Sequence, residues 1–165
     1  MIELQTLSLT RYDEKYNQIK EELENGVSSS KYIHQIKERL ENSNKKDKTI
    51  YNSAFIVLEE KNPIGYLFIS SMINDEVFIE YSVLKEHRQK GYGKKLVNEI
   101  SDYLFENNNI KSIILDIDPS NKNSMLLASS CGFFFDEDDY EERNYVGKMR
   151  FIKESNCYIN KRRSR

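Results

Sequence analysis

The chain has 165 residues, 38% apolar and 32% charged, with a formal net charge of −2. That length suits one domain with a core that needs no disulfide or metal. The near-balanced charge excludes nucleic-acid binding driven by bulk electrostatics, and the longest apolar run, 54–58, is far too short to span a membrane. Two cysteines, Cys131 and Cys157, lack metal or redox spacing. With two histidines and no Cys/His cluster, no metal site is expected. The opening "MIELQTLSLT" lacks the charged start and apolar stretch of a secretion signal, so a soluble cytoplasmic protein is expected.

Taken in chain order, "IELQTLSL" reads as a short first strand, with Leu7 and Leu9 one step out of phase with Ile2 and Leu4. Thr10 and Asp13 fit a helix cap, and Tyr12, Tyr16, Ile19 and Leu23 follow at helical spacing. "ENGVSSS" breaks that helix. Ile33, Ile36 and Leu40 mark a second one. Three strand patterns follow, "AFIVLEE", "IGYLFISSM" and "EVFIEYSVL", joined at "KNP" and "IND". Such short connections predict antiparallel neighbours, and the near-continuous apolar runs predict two covered faces. A helix after Gly93 carries Leu96, Val97, Ile100 and Leu104 on one stripe and stops at "NNN". "IKSIILDID" is a strand, and "NKNSMLLASSCG" is a short helix closed by Gly132. "FFF" begins a strand, "DEDDYEERN" is a charged loop, "YVGKMRFIK" is a last strand and "INKRRSR" a frayed basic tail. The expected fold is α/β, a mixed, mostly antiparallel central sheet flanked by helices on both faces. Residues 1–153 form a single domain and 154–165 a flexible tail.

The stretch "VLKEHRQKGYGKKL" places Gly91 and Gly93 between a strand and a helix, inside a basic run. A helix start exposes unpaired N–H groups and the positive dipole end, and glycine lets an anion approach the backbone. Arg88, Lys90, Lys94 and Lys95 add positive charge, so a phosphate or pyrophosphate cradle is one reading; a helix start with solvated lysines is the other. Two familiar cradles do not fit. A nucleotide P-loop needs glycine at Arg88 and Ser or Thr at Lys95, and a dinucleotide fingerprint needs a small residue at Leu96.

Arg88-Gln89-Lys90-Gly91-Tyr92-Gly93 matches the [Gln/Arg]-x-x-Gly-x-[Gly/Ala] pattern, and "LDIDPSNKNSMLLASSCGF" supplies Asn121, Ser124, Gly132 and Phe133 at the spacing of a second signature. Together with the strand order, these resemble the GNAT N-acetyltransferase superfamily over nearly the whole chain. The resemblance implies acetyl-CoA as donor and co-substrate. It implies that backbone N–H groups of Gln89, Lys90, Gly91, Tyr92, Gly93 and Lys94 hold the pyrophosphate, with Arg88 beside them. Ser82, Val83 and Leu84 would pair with the pantetheine arm, an N–H of Val83 or Leu84 would stabilise the oxyanion, and Asn121 and Ser124 would touch the pantetheine or position the helix that does. One departure stands out: many members carry a tyrosine seven residues after the asparagine, where this chain has Ala128. Tyr145 or Ser129 could substitute, the thiolate could leave unaided, or turnover could be absent.

An alkylammonium with a pKa of about 10.4 must lose a proton before it attacks. Glu80, set between Phe78 and Ser82 on the strand face opposite Val77, Ile79, Tyr81 and Val83, is the first candidate base; a salt-bridged rim glutamate is the alternative. Asp116 and Asp118 come second, with Asp118, before Pro119, a turn former. His87 is a loop histidine that could touch phosphate. Six acids in the seven residues 136–142 either attract a cationic amine or simply solvate a loop. The expected function is transfer of acetyl from acetyl-CoA to a primary amine of a small-molecule or peptide acceptor, by a monomer or homodimer with no nucleic-acid or membrane partner. The alternatives are an acyl-CoA-binding sensor or regulatory module without turnover, and a nucleotide-binding protein using the same cradle.

Overall fold

Runs of β-branched and aromatic residues build the longer strands, and left-handed two-residue turns at Glu60–Lys61 and Asn74–Asp75 separate three of them. In the computed structural model the described residues are 1–13, 16, 17, 19, 21, 22, 38, 39, 41, 49–107 and 109–164. The strands are β1 (Ile2–Glu3), β2 (Ser8–Arg11), β3 (Ser53–Glu59), β4 (Asn62–Ile69), β5 (Glu76–Val83), β6 (Ser112–Ile117), β7 (Phe134–Phe135) and β8 (Met149–Glu154). The helices used below are α1 (Tyr92–Asn107), α2 (Lys122–Ser130), α3 (Glu137–Glu142) and α4 (Asn156–Arg163), with a 3-10 turn at Lys85–His87.

The chain packs as two compact units. One comprises Met1–Ser71 with Glu80–Gly93, the other Met72–Ile79 with Lys94–Arg165. In the first, β1, β2, β3 and β4 form an antiparallel meander, with Leu9 opposite Val57 and Ile56 opposite Tyr66. Glu60 and Lys61, both at positive φ, close the β3–β4 hairpin as a type I′ turn does. Six successive residues of β3 and six of β4 are buried, as expected of strands covered on both faces. Tyr12, Ile19, Ala54, Ile56, Leu58, Tyr66, Phe68 and Leu84 form the core of this unit.

In the second unit β5 pairs with β6 in parallel through Glu76, Val77 and Phe78, opposite Ser112, Ile113 and Ile114. All six residues of β6 pair antiparallel with β8, which also holds β7. The result is α/β: a mixed, mostly antiparallel set of eight strands among the described residues, with helices. The stripe predicted on α1 is real, since Leu96, Val97, Ile100 and Leu104 are all buried.

Four readings change. The first strand is two strands, because the phase slip between Leu4 and Leu7 is a turn in which Leu4 N–H donates to Leu7 O at 2.9 Å. Thr10 therefore lies in β2, paired with Ile56, and caps nothing. β5 does not bury both faces: Val77 and Ile79 are buried, Phe78 is exposed, and the other residues are half-buried. The charged loop is a helix: Asp136 Oδ1 accepts from Asp139 N–H at 3.1 Å, and Glu137, Asp138 and Asp139 occupy the first turn, where the dipole favours acids. The segment read as a tail carries α4, whose start is capped by Ser155. The predicted helix residues Leu23, Ile33, Ile36 and Leu40 lie outside the described residues.

Candidate active site

Ile79 to Val83 continue β5 beyond its three-residue ladder with β6. On the β4 side, Leu84 N–H donates to Ile64 O at 2.9 Å. Gly65 lets the strands close here: a Cβ on it would stand 2.4 Å from Ser82 O and 3.4 Å from Val83 Cα. A glycine inside an apolar strand signals such a close approach. Of the two predicted oxyanion donors, Leu84 is thus already engaged. Its carbonyl also accepts from His87 N–H at 2.8 Å, and its side chain is buried in the core. The Val83 carbonyl accepts from Arg88 Nε at 2.9 Å, which folds the Arg88 side chain back onto the end of β5.

Beyond the 3-10 turn the backbone takes a left-handed residue at Gln89 (φ 61°) and another at Gly91 (φ 82°) before entering α1. Alternation of this kind turns successive N–H groups toward one concavity, the arrangement that binds anions. A Cβ on Gly91 would meet nothing within 4 Å, so the space beside the turn is open. Tyr92 ties the loop down: its hydroxyl donates to the Glu59 carboxylate at the end of β3, and that bond pushes the phenol pKa up. His87 packs edge-on against the Tyr92 ring, with centroids 6.0 Å apart, so its role in the loop is packing. The first turn of α1 contains no acid but does contain Lys94 and Lys95. Cations at a helix N-terminus oppose the dipole, and an anion there offsets both.

In the other unit, Asn121 Oδ1 accepts from Ser124 N–H at 3.2 Å, which makes Asn121 the N-cap of α2 and explains the spacing of the pair. At the far end of α2, Phe133 N–H donates to Ala128 O and Gly132 N–H to Ser129 O, with Gly132 at φ 85°, a Schellman cap. Ala128 is fully buried beneath it (0% exposed), so this position belongs to the packing of the cap. Cys131 Sγ lies 3.8 Å from the carbonyl of Lys94, against the first turn of α1, and burial raises its pKa. Tyr145 is exposed and set edge-on to Tyr140. Asp116 is paired with Arg150 at 3.1 Å. Asp118 accepts from the N–H and hydroxyl of Ser120 at 2.9 and 2.6 Å, bonds that lower its pKa and make it a turn former. In the acidic segment Asp139 is bridged to Arg143 at 2.7 Å and to Arg150 at 3.6 Å, so part of its charge is already balanced.

Glu80 is neither solvated nor alone. Arg39 donates to Glu80 Oε2, and both side chains are about three-quarters buried. The same guanidinium lies over the Phe68 ring, 4.1 Å from its centroid. Next to it is Tyr66, whose hydroxyl is buried and makes no well-formed hydrogen bond among the described residues. Burial pushes the Tyr66 pKa up to about 12, and the nearby Arg39 pulls weakly the other way. Arg39, Tyr66, Phe68 and Gly65 escaped the sequence reading. Gly65 carried a signal, and Tyr66 and Phe68 sat at period two in an apolar strand, but nothing marked Arg39, 41 residues from its partner.

This geometry has counterparts among known proteins. A spermidine N(1)-acetyltransferase of Vibrio cholerae serotype O1 is 27% identical over 113 residues, a stretch spanning 65% of this chain and 65% of the relative. A solved structure of spermidine N-acetyltransferase from Vibrio cholerae in complex with CoA and spermine superposes with a TM-score of 0.63 at 17% identity, covering 93% of this chain and 98% of that one. A dodecameric spermidine N-acetyltransferase structure from Vibrio cholerae gives a TM-score of 0.67 at 20% identity over 94% and 98%. At these identities the structures bear on the fold alone. The Acetyltransferase (GNAT) family model matches residues 15–133, well over half of the chain, and the chain belongs to that family.

Proposed function

We propose that the protein transfers an acetyl group from acetyl-CoA to a primary amine of a small, cationic acceptor of the polyamine class, or of a basic peptide, in the cytoplasm. Residues 1–153 act in this as one N-acetyltransferase domain, as a monomer or homodimer. The observation that carries the reading is the loop from Arg88 to Gly93: two left-handed residues, Gln89 and Gly91, lead into a helix whose first turn has two lysines and no acid. Family membership supports reading this loop as an acyl-CoA loop. Among the described residues no group of three or more metal-ligating side chains occurs and no helix is long and apolar enough to cross a membrane.

When bound, acetyl-CoA supplies the activated thioester. The N–H groups of Gln89, Lys90, Gly91, Tyr92, Gly93 and Lys94 orient its pyrophosphate. Ser82 and Val83 would offer β5 main chain to the pantetheine amides, and the Val83 N–H would be the donor to the acetyl oxygen, the Leu84 N–H being already engaged. Asn121 and Ser124 fix the start of α2. Glu80 takes the ammonium proton once Arg39 yields it, directly or through water. Ala128 offers no proton to the departing thiol, whose pKa of about 8.5 makes unassisted departure tolerable.

Thiol release from acetyl-CoA, measured against spermidine, spermine, simple monoamines and basic peptides, tests this. Cys157 is exposed, so a protein-only baseline is subtracted. Amine-dependent release is expected. Calorimetric binding of acetyl-CoA with no release on any amine would replace the proposal with the sensor reading that Ala128 favours.

A further inference from the structure

Carboxylate, aromatic face and buried hydroxyl are the three groups that recognise a cationic nitrogen, and in this protein they converge on one point. Glu80 supplies the charge, Phe68 the ring face and Tyr66 the hydroxyl, from adjacent positions on β4 and β5. The chain's own Arg39 occupies that point. We infer that Glu80, Phe68 and Tyr66 form the seat for the acceptor's cationic nitrogen, and that Arg39 is a built-in competitor that the acceptor must displace. The inference rests on the reading of the protein as an amine acetyltransferase and adds the residues that choose the amine.

The exchange is charge for charge, so Glu80 is never left as a buried anion without a partner. The two cations differ in shape. A guanidinium is a planar fork, and here it serves Glu80 while stacking on Phe68, so that it meets the Tyr66 hydroxyl without a well-formed hydrogen bond. An alkylammonium is compact, with three rotatable donors. It can donate to Glu80 and to Tyr66 while keeping the ring face. The occupant that satisfies all three groups is therefore an amine and not an arginine, and a neutral acceptor has nothing with which to expel Arg39.

Calorimetry with spermine as probe, without acetyl-CoA, tests the competition. Arg39→Gln is expected to lower the spermine Kd about tenfold, since an ion pair about a quarter exposed and a cation–π contact together oppose entry. Tyr66→Phe, which keeps the ring volume, is expected to raise it several-fold. Equal or weaker binding by Arg39→Gln overturns the competition. Unchanged binding by Tyr66→Phe overturns the seat, and this arm remains if Arg39→Gln does not fold. The thiol-release assay keeps the two proposals apart. Tighter spermine binding with no turnover sinks the enzyme reading and spares the seat; turnover with unaltered affinities does the reverse.

Discussion

Gly65→Ala puts a number on the close approach of β4 to the end of β5. The added Cβ would sit 2.4 Å from Ser82 O, whereas a carbon–oxygen contact settles near about 3.3 Å. Roughly 0.9 Å must be found, and both sides of the contact are backbone, so no side chain can swing away. Overpacking of this kind costs about 1–3 kcal/mol. The adjacent Leu84 N–H to Ile64 O bond is the first to stretch, adding about 1 kcal/mol. Against this, alanine restricts the unfolded chain and returns about 0.4–1 kcal/mol. The net expectation is a loss of roughly 1–3.5 kcal/mol in urea unfolding. Gly91→Ala is the matched control: its Cβ meets nothing within 4 Å, and its cost is the positive φ alone, about 1–2 kcal/mol. Acetyl-CoA affinity, read by calorimetry, should fall in Gly65→Ala because Ser82 and Val83 move. A Gly65→Ala protein as stable as Gly91→Ala, with unchanged acetyl-CoA affinity, would refute the argument.

Gly91→Glu should weaken acetyl-CoA binding at least about 100-fold, since it sets a carboxylate where the loop and α1 present N–H groups; unchanged calorimetric affinity would remove the loop from the site. Glu80→Gln should cut the amine-dependent rate about 100-fold at neutral pH and much less near pH 10, where free amine is abundant; a loss independent of pH would argue against proton removal by Glu80. Tyr66 predicts an alkaline loss of stability. Its folded pKa of about 12 lies above the unfolded value of 10.0, so the unfolded chain gives up its proton first. The contribution is whole below pH 10 and drains away as pH rises toward 12, by at most about 3 kcal/mol. Comparing wild type with Tyr66→Phe isolates it from the other tyrosines, and parallel alkaline unfolding profiles would contradict it.

What the sequence exposed and what it hid divide along physical lines. Period-two and helical-period patterns found β3 through β6, α1 and α2, because their apolar faces are continuous and their ends carry local punctuation such as Asn121 and Gly132. The misreadings came where a short-range signal competed with a tertiary one. Thr10 has the chemistry of a cap, but strand pairing with Ile56 claimed it. The acids at 136–142 have the composition of a solvated loop, yet Asp136 can cap its own N–H groups, and the helix dipole turns three neighbouring acids from a liability into support.

The site shows the same division more sharply. The left-handed turn at Gly91 was legible because special backbone leaves glycine in the sequence. Glu80 was conspicuous for a related reason, as a charge in an apolar strand. Its two readings, base and salt-bridged carboxylate, look like alternatives in one dimension and prove compatible in three. The ion pair with Arg39 keeps the carboxylate ordered on the ring-lined side of β4 and β5, and a cationic substrate can replace that partner without stranding it. A glutamate that was merely solvated would need no such partner. A glutamate paired with an arginine packed on both faces would admit no substrate. Arg39 lies on one ring, about a quarter exposed, beside a hydroxyl with which it makes no well-formed hydrogen bond, and on the proposed reading that incomplete fit is what an amine would improve.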